Sequence, residues 1–217
     1  MGPMSPIVKN GEAIVAVVDD DESVREALQG LFQSVGLVTE IYGSVQEFLD
    51  AGSLARAGCI VLDIRLPGRS GLEFQEALAR SGVSQSVVLI SGHVDVQMAV
   101  RAMKAGAIDV LPKPVREQDL LEAVNRALAK DRQRRAEATR DHALRLRYNM
   151  LSERERQVFA LVATGLLNKQ IADRIAITEA TVKLHRSQVM KKMEADSLPE
   201  LVRMADQLAK AETSPGI

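Results

Sequence analysis

The stretch IVAVVDDDESVREALQGLFQSVG, residues 14–36, holds a complete strand–loop–helix unit. Its first five residues are apolar without alternation, the pattern of a strand covered on both faces and therefore of a parallel sheet. Asp19, Asp20 and Asp21 follow where such a strand would end. Val24, Leu28, Leu31 and Val35 then recur on one helical stripe, opened by Ser23 and stopped by Gly36.

Outward from this unit the same alternation repeats. Apolar runs stand at 37–42, 59–62, 87–90 and 108–111. Ser44 is placed to cap a short helix holding Phe48 and Leu49. Further helices are expected over 72–78, over 96–103 with a stop at Gly106, and over 120–128. Five strand–helix units over residues 10–130 predict a doubly wound α/β domain. Residues 130–148, KDRQRRAEATRDHALRLRY, contain no Gly or Pro and are rich in helix formers. They are expected to continue the fifth helix, giving one helix over about 116–145 with 131–148 as a helical linker; a flexible tether is the alternative. From residue 149 to about 212 the strand signal is gone. A helix over 151–163 turns Val158, Leu161 and Val162 inward and is broken by Gly165. A short helix follows over 168–175, then a turn at 176–178, a helix capped by Thr178 running to about residue 195, and a last helix from 198 to about 208. Two short helices around a tight turn, the second basic, match a helix-turn-helix.

Composition sets limits on function. The chain has 217 residues, 46% hydrophobic and 26% charged, ordinary values for a soluble globular protein. No apolar run approaches the roughly 18 residues that span a bilayer, and residues 1–9 hold no apolar signal core. The single cysteine, Cys59, lies inside an apolar run, so an inert buried thiol and a cytoplasmic location are expected. The net charge of −1 hides an asymmetry. Residues 1–130 carry 12 Lys and Arg against 17 Asp and Glu, whereas residues 131–217 carry 16 against 12. A basic C-terminal part points to a polyanionic partner.

In open α/β sheets ligands bind beyond the carboxyl ends of the strands, where the strand order reverses. The groups expected on that rim are Asp19, Asp20 and Asp21 after the first strand and Asp63 after the third. Ser91 and Gly92 follow the fourth, and Lys113 and Pro114 the fifth. Clustered carboxylates need a cation to stay ionised together, and an oxygen donor set suits Mg²⁺. An aspartate beside such a metal can attack a phosphoryl group, with Lys113 pairing one phosphate oxygen and Ser91 another. In the C-terminal part, about 100° per residue places Val189 and Met193 within about 20° of Val182 on the third helix, toward the core. Ala180, Lys183, Leu184, Ser187 and Lys191 then share the open face, basic and read as free of acids. Leu184 suits a thymine methyl group, Lys183 guanine, and Ser187 a base or a phosphate.

The segments VVDDDESVR (17–25), VLDIRLPGRSG (61–71), LISGHVD (89–95) and AMKAGAIDVLPKP (102–114) resemble the receiver domain of two-component response regulators. The segment LSERERQVFALVATGLLNKQIADRIAITEATVKLHRSQVMKKM (151–193) resembles the LuxR-type helix-turn-helix. Together they are similar to the NarL/FixJ class, nearest its FixJ branch. The resemblance implies a flavodoxin-like receiver with strand order 2-1-3-4-5, then a helical linker and an all-α four-helix DNA-binding domain. It implies Asp63 as phosphoacceptor and Mg²⁺ bound by Asp20, Asp63 and the Arg65 carbonyl, with Asp19 acting through water. Ser91 would be the switch residue, Lys113 the phosphate-pairing lysine, and Lys113-Pro114 a cis bond. DNA bases would be met by Lys183, Leu184 and Ser187, and the DNA backbone by Asn168, Lys169, Thr181 and Lys192. The implied partners are a sensor histidine kinase, a double-stranded operator and, once phosphorylated, a second copy of the chain. The family often carries Tyr or Phe where this chain has Val110, which leaves the readout of the switch open. Two other readings compete with this one. An aspartyl-phosphate hydrolase would need a second acid two residues after the nucleophile, where this chain has Arg65. A pure interaction adaptor has no use for a basic recognition face.

Overall fold

The computed structural model describes residues 13–213, with side chains described as far as residue 210; the expected domain start at residue 10 and the reading of residues 1–9 lie outside them. Five strands alternate with helices: β1 Ile14–Val18, α1 Glu22–Ser34, β2 Thr39–Tyr42, α2 Val45–Asp50, β3 Ala57–Asp63, α3 Gly71–Arg80, β4 Val87–Ser91, α4 Val96–Lys104, β5 Asp109–Pro112 and α5 Glu117–Asn149. Four helices follow: α6 Glu153–Ala163, α7 Asn168–Ile175, α8 Glu179–Met193 and α9 Leu198–Thr213. The chain divides into two compact units, the first running to Arg134 and the second from Arg135.

All strands pair in parallel in the order β2-β1-β3-β4-β5. The unbroken apolar runs now divide by pleat. Ile14, Ala16, Val18, Ile60 and Leu62 face a core shared with Phe48 and Phe74 of α2 and α3. Val15, Val17, Cys59 and Val61 face the other side, against Phe32 of α1 and Leu120 and Val124 of α5. Burial pushes the Cys59 thiol far above its ordinary value, so it is inert there.

Several local expectations are corrected. Asp21, not Ser23, caps α1, accepting from the Ser23 backbone N–H at 2.9 Å. Phe32 anchors that helix, while Val35 lies one residue past its end and is 50% exposed. β2 begins at Thr39 rather than 37. Residues 130–148 are helical throughout, as part of the 33 residues of α5. The first half of α5 packs in the first unit; Leu144 and Tyr148 belong to the core of the second, with Phe159, Ile171, Val182 and Leu201. α8 stops at Met193, where Glu194 takes a left-handed conformation at φ 56°, and α9 runs five residues beyond 208.

Candidate functional site

Register builds the first site. Val18 pairs with Leu62, Asp63 with Ile90, and Ser91 with Pro112. Asp19, Asp63, Ser91 and Lys113 therefore end neighbouring strands along one rim. The chain turns from β1 outward to β2 and then back past β1 to β3, so the crevice between β1 and β3 is where the order reverses.

Asp19, Asp20 and Asp63 bring one carboxylate oxygen each to within 4.8 Å of one another. The Lys113 ammonium donates to Asp19 Oδ2 and to Asp63 Oδ2, both at 2.6 Å. Asp19 and Asp63 are buried and Asp20 is exposed. Burial raises the Asp19 carboxyl above its ordinary value, and the hydrogen bonds from Lys113 and the Asp21 backbone offset only part of that. Burial also opposes the Lys113 charge, but its bonds to the two carboxylates outweigh this and hold its pKa above the usual lysine range. Local structure fixes the set. Asp19 Oδ1 accepts from the Asp21 N–H at 3.0 Å, and Arg25 donates to the Asp19 carbonyl at 2.7 Å. Asp63 Oδ1 accepts from the Arg65 N–H at 2.9 Å. A Cβ added at Gly71 would stand 2.1 Å from the Asp63 carbonyl, so only glycine lets α3 begin this close to Asp63. Three carboxylates against one ammonium leave a net charge of −2, and hard oxygen donors with an exposed Asp20 fit a small dication of the Mg²⁺ type.

Ser91 is buried at the end of β4, and its hydroxyl donates to the His93 carbonyl at 3.0 Å. It lies on the rim but is turned into its own loop. The Lys113-Pro114 bond is cis, and the Lys113 N–H donates to the Ser91 carbonyl at 2.8 Å.

The second site is the α7–turn–α8 pair. Ala176 makes the turn in the left-handed region at φ 54°. Thr178 caps α8, its hydroxyl accepting from the Thr181 N–H at 3.1 Å; the two threonine hydroxyls are 2.7 Å apart. Val182, Val189 and Met193 are buried, as their spacing predicts. Lys183, Ser187 and Lys191 are exposed, and Leu184 is 60% exposed. An acid flanks this face at its amino end: the Glu179 carboxylate lies 3.5 Å from the Lys183 ammonium. Lys169 is exposed, while Asn168 Oδ1 accepts from Arg186 of α8 at 3.0 Å. Lys192, expected on DNA phosphate, donates to buried Glu155 at 2.7 Å and lies 3.4 Å from the Met150 carbonyl, which uses two of its three donors within the domain. That bond, with help from Ser152 and against burial, holds Glu155 below the usual carboxylate range.

Glu155, Glu179 and Arg186 escaped the sequence reading. Glu155 had a legible signal, since Ser152-x-x-Glu155 is a capping box and both of its bonds form. Arg186 had none, because its partner lies 18 residues away on another helix.

Comparison with known proteins bears on both sites. Residues 15–125 match the response regulator receiver domain, and residues 149–205 match the bacterial regulatory proteins of the luxR family. Nodulation protein W of Bradyrhizobium diazoefficiens is 50% identical over 91% of this chain and 87% of its own length. Transcriptional regulatory protein FixJ of Rhizobium meliloti is 43% identical over 88% of this chain and 94% of its own. Among solved structures, that of the response regulator StyR covers 90% of this chain and 99% of its own, with 43% identity and a TM-score of 0.81. A parallel 2-1-3-4-5 receiver joined to a LuxR-type helix-turn-helix, with these relatives, makes this chain a member of the two-component response regulators of the NarL/FixJ class, close to the FixJ branch.

Proposed function

We propose that Asp63 is the phosphoacceptor of this regulator and that its phosphorylation by a partner histidine kinase controls dimerisation and operator binding. The observation that carries the reading is Lys113 bridging Asp19 and Asp63 at the topological switch point. The phosphorus–nitrogen bond of a kinase phosphohistidine breaks as a bond from an Asp63 carboxylate oxygen to phosphorus forms. Lys113 then exchanges a carboxylate partner for a phosphate oxygen, and Ser91 turns from the His93 carbonyl to another. Asp19, Asp20 and Asp63, with the Arg65 carbonyl, are the residues that would hold Mg²⁺, which offsets the charge gathered there. Relatives such as FixJ are transcriptional regulators by name, and Arg65 at the place of a hydrolase acid/base argues against metabolic turnover.

The second unit reads the operator. Lys183, Leu184 and Ser187 meet base edges from the open face of α8. Asn168, Lys169 and Thr181 sit at the amino ends of α7 and α8 and meet phosphates. Lys192 joins them with the donor that Glu155 and the Met150 carbonyl leave free. Among the described residues no helix is long and apolar enough to cross a membrane, and a regulator of this kind works in the cytoplasm beside the genome.

Full-length protein treated with acetyl phosphate and Mg²⁺ is expected to gain one phosphoryl group by mass spectrometry, and Asp63→Ala none. Undiminished labelling of Asp63→Ala would remove the assignment. Asp20→Ala is expected to label more slowly, because Asp63 loses its exposed co-ligand. Gel shifts with genomic fragments, with and without phosphodonor, test the coupling to DNA.

A further inference from the structure

One acid flanks the recognition face, and its place calls for an explanation. Glu179 is the first residue of α8, its side chain is exposed, and its carboxylate lies 3.5 Å from Lys183 one turn on. An acid in a first helical turn ordinarily complements the helix dipole. Here Thr178 already caps that end, and the Glu179 carboxylate leans along the helix toward Lys183. An exposed pair of this kind contributes little to stability. A carboxylate beside Lys183, at the end of a helix read as facing DNA, is repelled by phosphates unless it finds a donor there.

From this geometry we infer that Glu179 is a specificity-determining residue of the DNA interface, accepting from the N4 amino group of cytosine in the major groove while Lys183 donates to guanine. This rests on the DNA-reading function proposed above. The first residues of a recognition helix are those that meet base edges. An ionised carboxylate only accepts, and a lysine ammonium only donates. A C·G pair presents N4–H₂ as donor and guanine N7 and O6 as acceptors, so an acid and a lysine one turn apart match it in sign. The pair has a second effect. On DNA lacking that cytosine, Glu179 keeps Lys183 from phosphate, which lowers affinity for every wrong sequence.

The test uses the full-length, phosphodonor-treated protein and its E179A and E179Q variants. Each selects duplexes from a random library, and binding to the selected and to a random duplex is measured across salt. The parent protein is expected to enrich cytosine at one position of each half-site. E179A loses that preference, with the ratio of specific to random binding falling about ten-fold. Its salt slope on random DNA steepens by about one as Lys183 turns to phosphate. E179Q shifts the position toward adenine, whose N6 and N7 suit a glutamine amide. Enrichment of the same bases by E179A with an unchanged salt slope overturns the inference, whatever its melting temperature. If the parent protein enriches no sequence at all, the DNA-reading function itself falls and the inference with it.

Discussion

Asp19, Asp20 and Asp21 are chemically alike and adjacent, yet the fold gives each a different task. Asp19 is buried against Lys113, Asp20 is exposed beside Asp63, and Asp21 caps α1. Asp19 is held above its ordinary pKa, so its contribution to folding is most favourable below the usual carboxylate range and is lost as pH rises through the folded value. At neutral pH the buried charge is therefore a cost borne for function. Asp19→Asn is expected to raise the melting temperature at pH 7 by a few degrees, on the order of 4 °C, with the gain shrinking toward acid. Excess Mg²⁺ should raise the melting temperature of the parent protein more than that of the variant, which lacks one of the charges that favour the ion, because ligand binding stabilises the state that binds. Calorimetry at two pH values, with and without Mg²⁺, checks both; a variant less stable at pH 7 would contradict them. The sequence showed that acids gather at this strand end. It could not assign the three tasks, because those depend on Lys113, 94 residues away from Asp19.

At the scale of elements, legibility followed how one-sided the burial is. α8 has a single buried stripe, so 100° per residue from Val182 placed Val189 and Met193 in the core and Lys183 and Leu184 outside. The same wheel misplaced Val35, since it was carried past the last residue of α1. No wheel could reveal the partner of Lys192, Glu155, which α6 brings across from 37 positions earlier. The two lysines of α8 should therefore separate in experiment. Lys183→Ala is expected to cost roughly 1 to 3 kcal/mol on the operator and relax preference at one base pair, with the fold's stability unchanged. Lys192→Ala is expected to destabilise the second unit at neutral pH. Glu155 is held below its ordinary range, so the stabilisation it draws from Lys192 is present above that range and lost as pH falls through the folded value. Melting curves at neutral and acid pH, beside competition binding at two salt concentrations, read the contrast. If Lys183→Ala weakens all sequences equally, its side chain lies on phosphate and the helix is rotated from the orientation argued here.

At the scale of the whole molecule, on the proposed reading, a change at Asp63 alters a helix-turn-helix that begins 105 residues later in the chain. The fold supplies a surface suited to that task. Ala102 is the fully buried residue of α4, while Val100 and Met103 are exposed and Val96 is 80% exposed. This apolar strip follows β4, which ends at Ser91, and adjoins β5, which Lys113 follows. The two groups that would respond to a phosphoryl group thus flank the surface on which a second copy would dock. A helix-turn-helix of this size binds a half-site weakly, and linking two turns the second contact into an intramolecular one worth about 10² or more in affinity. On the proposed reading, control of dimerisation would suffice to control DNA binding, without an aromatic at Val110. Val100→Glu is expected to take up phosphate at Asp63 as the parent does, because the crevice is untouched. The variant should remain monomeric by sedimentation after phosphodonor treatment and lose about 10²-fold in operator affinity. Phosphorylated Val100→Glu that still dimerises would move the interface elsewhere. A monomeric variant with full operator affinity would separate dimerisation from DNA binding and leave phosphorylation to act within one chain.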